Sequence, residues 1–230
     1  MSIPHPSRSS NAAVWLLAAL GLLFLLTPFL QALPRGDLLE AVLLSLIMIF
    51  GVLALDAQGW TLAVALLLVF PALTAKWLSY VQPGLGSSLL FLILSTVFFI
   101  LVVVHLLRRH LQARRVDTNT LCAGLSGYLI LGLLWVPVYL LVSQLDTHAF
   151  VLGPETKPNA TMDGFTAFYF SFITLCTVGY GDVVPVSRVA RMCAIIEAIA
   201  GLFYVAVFIS RLVAIYSTNA PGNATPSGPQ

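Results

Sequence analysis

The stretch ITLCTVGYGDVVPVS, residues 173–187, sets two glycines, a proline and an aspartate into a chain that is otherwise largely apolar. Such a stretch interrupts a membrane helix, and non-helical backbone is tolerated at membrane depth only where protein or water satisfies its polar groups. The surrounding chain is of membrane character. Of its 230 residues, 59% are hydrophobic and 9% charged, against about 25% charged in an average soluble domain. These charges are too few to cover a soluble surface. The formal net charge of +2 is too small and too dispersed to imply nucleic-acid binding.

Immediately before the interruption, residues 165–176 form an apolar run of about twelve, too short to cross a bilayer that needs ~20 helical residues. This run must enter the membrane and turn back. Full-length spans flank it, at 120–143 and at 186–216, and Pro137 should bend the first by removing one helix hydrogen bond. Farther upstream, breaks at LPRGD (33–37), DAQGW (56–60), VQPGLG (81–86) and RRHLQARRVDTN (108–119) bound four more spans, at 12–33, 38–55, 61–80 and 87–107. The first resembles a signal peptide only by position, since it is too long for such an apolar core and lacks a small-x-small cleavage site. Residues 144–164 are polar and rich in turn formers, and 217–230 read as a disordered tail. No soluble regulatory domain is expected after it.

The fold class expected is therefore an all-α membrane protein, with six transmembrane helices and a re-entrant half-helix. Its divisions are an N-terminal segment (1–11), a four-helix region (12–107), a basic linker (108–119), a last membrane unit (120–216) and the tail (217–230). Arg108, Arg109, Arg114 and Arg115 cluster after the fourth span, which by the positive-inside rule puts that linker and both termini in the cytoplasm. Lys76, Lys157, Arg188 and Arg191 fall near the outer side in this topology, against the rule. Trp15, Trp60, Trp77 and Tyr80 are placed to anchor at the interfaces, whereas Trp135 lies mid-span and should pack. Cys122, Cys176 and Cys193 lack C-x-x-C spacing and read as buried thiols rather than a zinc site or a disulfide framework.

In the interruption itself, Gly179 and Gly181 can take backbone conformations closed to other residues, so that successive carbonyl oxygens aim the same way. Thr177 adds a hydroxyl to that row. The six residues Thr177, Val178, Gly179, Tyr180, Gly181 and Asp182, preceded by a half-length apolar helix and flanked by two spans, resemble the selectivity filter of the potassium-channel pore family. That resemblance covers about residues 120–216 and implies a pore domain of outer helix, pore helix, filter and inner helix. By position, the carbonyls of Thr177, Val178, Gly179 and Tyr180 and the Thr177 hydroxyl would ligate K+ in place of its hydration shell. Tyr180 would turn its ring from the axis and brace the loop.

Other residues carry weaker signals. Tyr169 and Phe170 stand where voltage-gated members have an aromatic pair, usually tryptophans, supporting the filter, and Ile173 stands where some bacterial members have a carboxylate. Glu197 is a carboxylate inside the last span, so it should face protein or water, with a hydrogen bond in the bundle favoured over ion binding. Gly201 follows Asp182 at the distance where the family often has a gating hinge; the alternative is a small residue that allows close helix packing. The half-helix would aim its negative dipole end, near Cys176, at a dehydrated cation. Asp146, Glu155, Asp163 and Asp182 lie on the outer side, where they could concentrate cations or simply keep a loop soluble. The NAT triplets at Asn159 and Asn223 match glycosylation sequons by spacing alone.

The function implied is passive, potassium-selective conduction through a homotetramer in a plasma membrane, taken as a bacterial inner membrane. K+ is the permeant ligand, no cofactor is expected, and the partners expected are lipids, with no nucleic acid or small-molecule substrate. No enzyme is expected, because no nucleophile and base pair up at catalytic spacing. The alternatives are a subunit of a potassium transporter, though no second GYG is present, or a non-conducting scaffold with a vestigial loop. Residues 87–107 contain no Lys or Arg, so the fourth span predicts no strong voltage sensor.

Overall fold

The computed structural model describes residues 12–30, 36–55, 60–81, 87–112, 118–153 and 162–218. Arg114, Arg115, Glu155, Lys157, Asn159, Asn223, the N-terminal segment and the expected tail beyond Thr218 lie outside the described residues.

The apolar runs form helices because a helix satisfies its own backbone polar groups, which hydrocarbon cannot do. They are α1 (Ala12–Leu30), α2 (Gly36–Ala54), α3 (Trp60–Val81), α4 (Ser87–Gln112), α5 (Thr118–Leu145), α6 (Gly164–Leu175) and α7 (Arg188–Thr218). Hydroxyls within them turn back on the helix. Thr27 Oγ1 donates to the Leu23 carbonyl at 2.6 Å, and Thr96 Oγ1 to Leu92 at 2.7 Å, which removes a bare hydroxyl from an apolar setting.

Five of these helices are long and apolar enough to cross a membrane, one fewer than the six spans expected. The exception is α2, whose apolar part is only Leu38–Ala54. Asp37 and Glu40 occupy its first turns and shorten the greasy length. Among the other boundaries, α4 runs past the expected end at Leu107 to Gln112, so Arg108 and Arg109 are helical rather than part of a linker. Pro137 lies inside α5, which continues on both sides of it.

Sequential helices pack side by side, and α5 is the hub, touching α1, α4, α6 and α7. Leu16, Ile47, Phe98, Ile130, Tyr139 and Leu175 are among the fully buried side chains of the joint core. The first helix also reaches the re-entrant one: Phe24 meets Phe168 and Phe172 edge-on, with ring centroids 4.8 and 4.6 Å apart. The outward faces of α1 to α4 carry exposed leucines and aromatics such as Leu25, Leu67 and Phe70, as expected where lipid is the solvent.

Two short strands complete the described structure. β1 (Phe150–Leu152) follows α5, β2 (Val183–Pro185) follows the interruption, and they pair antiparallel with Val151 opposite Val184. The sequence reading had no strand here. Three-residue strands are too short for a period-two pattern, and only the β-branched valines hinted at them.

Candidate functional site

Asp163 caps α6, accepting from the Thr166 amide at 2.7 Å, so this acidic residue has a structural task rather than loop solubility alone. At 1.5 Å per residue, α6 is about 18 Å long, half a membrane crossing. It buries Ala167, Phe170, Ser171, Ile173 and Leu175, then stops.

The residues after it fold back onto its last turn. Cys176 N–H donates to the Phe172 carbonyl at 3.0 Å, Thr177 N–H to Thr174 at 2.9 Å, and Val178 and Gly179 N–H to Ile173 at 2.8 and 3.3 Å. Thr177, Gly179 and Gly181 have positive φ of 57°, 55° and 82°, while Val178 and Tyr180 between them do not. The hand therefore alternates residue by residue. In a strand, carbonyls alternate sides; with alternating hand, successive N–H groups gather on one side, as in an anion-binding nest, and carbonyls gather on the other. Here α6 takes up the N–H side of the first residues. Among the described residues, the carbonyls of Thr177, Val178, Gly179 and Tyr180 accept no hydrogen bond.

Every residue from Cys176 to Asp182 is exposed on the single chain, with Tyr180 73% accessible. The Tyr180 ring thus stays largely open on the single chain. Cys176, expected to be a buried thiol, is exposed because it caps α6 at this face; its sulfur lies 3.5 Å from the Tyr128 hydroxyl.

The far end of the loop is anchored. Asp182 accepts the Val183 amide on Oδ1 at 3.1 Å and the Gly153 amide on its carbonyl at 2.7 Å, and the Tyr169 hydroxyl lies near enough to its carboxylate to interact with it. Phe170, the next residue, points the other way and is buried edge-on against Tyr139 and Phe150, at 4.9 and 5.6 Å between centroids. The two aromatic positions therefore divide the work, one gripping the loop and one gripping the core.

Behind α6 stands α7. Glu197 is fully buried and bonded to the hydroxyls of Ser171 on α6 and Tyr139 on α5, which is the hydrogen bond within the bundle favoured from sequence. One turn on, Gly201 faces the end of α6 so closely that an added Cβ would lie 2.6 Å from the Leu175 carbonyl oxygen. Close packing is thus present at Gly201, and α7 runs through it without a break. On α5, Gly132 leaves room for the Phe172 ring, and Tyr204 of α7 donates to the Gly124 carbonyl at 2.7 Å.

Sequence reasoning missed Ser171, Tyr139 and Tyr204. The signal that could have found them is the set of small residues Gly124, Gly127 and Gly132 in α5, which marks a helix approached closely by others.

Among the described residues, the opposite face of α7 is apolar and meets no other element. Met192, Ile195, Ile199, Leu202 and Phe203 are all about half exposed or more, on the helix next to the exposed loop.

Comparison with known proteins bears on this unit. The ion-channel family model matches residues 125–218. Over 89 residues the chain is 38% identical to two pore potassium channel b of Oryza sativa subsp. japonica, covering 38% of this chain and 24% of the rice protein. It is 28% identical over 166 residues to the voltage-gated potassium channel Kch of Escherichia coli, covering 72% of this chain and 34% of that protein. It is 34% identical over 103 residues to Protein LctB of Bacillus caldotenax, covering 43% of this chain and 74% of LctB. The chain thus spans about a quarter to a third of the length of the two channel relatives. No solved structure matches it.

Proposed function

Since the chain belongs to the potassium-channel pore family, an ion-channel rather than an enzyme family, we propose that it is a potassium-selective channel that conducts K+ passively. The observation that carries this reading is the alternating backbone hand over residues 177–181, with its N–H side committed to α6 and its carbonyls unbonded. Carbonyls presented in a row can replace the hydration shell of a cation. In this reading Thr177, Val178, Gly179 and Tyr180 supply the K+ ligands, Gly181 and Asp182 close the loop, and Tyr169 and Phe170 hold it. No resident cofactor is proposed.

One chain supplies one such loop, so a ring of ligands calls for four copies around an axis, as cyclic symmetry allows. The exposed loop and the unpartnered apolar face of α7 support this, because both would be covered or pore-lining in a tetramer. The chain is an integral membrane protein. In the proposed arrangement α2 crosses as a sixth span, since its 19 residues reach about 28 Å against a hydrocarbon core of ~30 Å. Both termini are then cytoplasmic, in a plasma membrane of bacterial inner-membrane type. Gly201 remains a candidate for the gating bend.

A relative carries voltage gating in its name, but α4 favours weak voltage dependence here. No Lys or Arg precedes Arg108 on that helix. A transporter subunit and a non-conducting scaffold are the remaining readings. Purified protein in potassium-loaded liposomes separates them: with a protonophore present to carry the compensating charge and no valinomycin added, a channel lets K+ run down its gradient and drives proton uptake, whereas liposomes loaded with sodium instead show no such uptake. Native mass spectrometry in detergent should give a tetramer, and a monomer or dimer as the sole conducting species overturns the four-loop pore.

A further inference from the structure

Around Glu197 the protons can be counted. The Ser171 hydroxyl lies 2.8 Å from the Gly132 carbonyl oxygen and 2.6 Å from Glu197 Oε1, and the Tyr139 hydroxyl is bonded to Oε2. An ionised carboxylate would leave two hydroxyl protons for three close oxygen pairs, so one pair would face lone pair to lone pair. Adding one proton to the carboxyl resolves the shortfall. Tyr139 O–H then donates to Oε2, Glu197 Oε1–H donates to Ser171 Oγ, and Ser171 O–H donates to the Gly132 carbonyl.

The surroundings agree. Glu197 is 0% exposed, and a buried carboxylate without a cation is unfavourable by several kcal/mol. Among the described residues no Lys or Arg pairs with it; the ion pair present joins Lys76 to Glu40. The titratable groups facing it are Tyr139 and Tyr128 of α5 and Cys193 of α7 itself, with Ser171 from α6, and none is cationic.

We propose that Glu197 is held protonated as a positioning residue, linking inner, pore and outer helices in one donor chain that seats the 177–182 loop. This rests on reading that loop as the filter. Ser171 lies on the same α6 strut as Ile173, whose carbonyl takes the Val178 and Gly179 amides. Glu197 and Gly201, one helical turn apart on α7, meet Ser171 and Leu175, one turn apart on α6. A shift of α7 is therefore carried into the loop.

Two measurements test this on the full-length protein. Infrared difference spectroscopy at neutral pH should show a protonated-carboxyl C=O band in the wild type that is lost in Glu197→Gln. Absence of that difference band overturns the protonation, whatever the loop does. In single-channel recording, Glu197→Gln, whose NH2 and carbonyl can stand in for the O–H and C=O of a neutral carboxyl, should keep wild-type potassium selectivity and open lifetime within about twofold. Ser171→Ala, which cuts the chain but conserves volume, should shorten the open lifetime about tenfold, the scale of one lost buried hydrogen bond. An unchanged lifetime in Ser171→Ala, or a collapse in Glu197→Gln like that in Ser171→Ala, overturns the positioning role. A wild type without selective current fails the channel reading instead, and leaves the infrared test standing.

Discussion

At Thr177 the backbone holds φ of 57° in a β-branched residue, a conformation that costs an L-residue roughly 1–2 kcal/mol. That cost is sustained because the amides of residues 176–179 are fixed by carbonyls of α6, so the loop is held open rather than relaxing into a strand. Gly179 needs its left-handed φ of 55° although nothing lies within 4 Å of where a Cβ would stand. Gly179→Ala should therefore act through backbone strain alone, by roughly 1 kcal/mol, and lower the potassium-over-sodium permeability ratio of a folded tetramer. A ratio equal to wild type would show that this loop does not select. Tyr169→Phe removes the hydroxyl that lies beside the Asp182 carboxylate, and should hasten the decay of current in sustained recordings, with phenylalanine packing retained; an unchanged decay would show that this hydroxyl does not help hold the loop. These loop residues were legible in the sequence because the glycine alternation is local. The contact of Ser171 with Glu197 spans 26 positions and that of Tyr139 with Glu197 spans 58, and no local pattern announces a partner so far away.

Among the elements, α7 and α4 give opposite lessons. The helix α7 was placed from its apolar length, but the role of Gly201 depends on what it faces, which length does not reveal. Since a Cβ there would lie 2.6 Å from the Leu175 carbonyl oxygen, Gly201→Ala should do more than stiffen a hinge. Overpacking of that kind costs typically 1–3 kcal/mol, so the variant should lower the thermal midpoint of the purified protein and push α7 away from α6. A gating change with an unchanged midpoint would instead favour the hinge. For α4 the absence of charge was legible at once, and the structure adds that Arg108 and Arg109 belong to its last turns. A full sensor moves roughly 3–4 charges per subunit, each worth about 2.3 kcal/mol per 100 mV. Open probability should thus depend only weakly on voltage, and a slope equivalent to about a dozen charges per tetramer would contradict that. The span expected at 38–55 reads as a shorter apolar helix, because Asp37 and Glu40 sit where hydropathy sets its boundary.

At the scale of the whole molecule, one chain leaves its most specialised surface bare. The loop from Cys176 to Asp182 is exposed, and among the described residues α7 shows one apolar face to no partner. The sequence announced the loop but not this asymmetry, which appears only once α5, α6 and α7 are packed and one side of them remains uncovered. In the proposed tetramer that side faces the axis and the neighbouring copies, and the loops of four chains supply carbonyl rings around a permeant ion. The central claim is that these rings select potassium. The direct measurement is the reversal potential of single-channel current in a planar bilayer, with potassium on one side and an equal concentration of sodium on the other. The account predicts a reversal far toward the potassium equilibrium potential, with no resolvable sodium current. A reversal near zero, from channels whose tetrameric assembly has been verified, would contradict it.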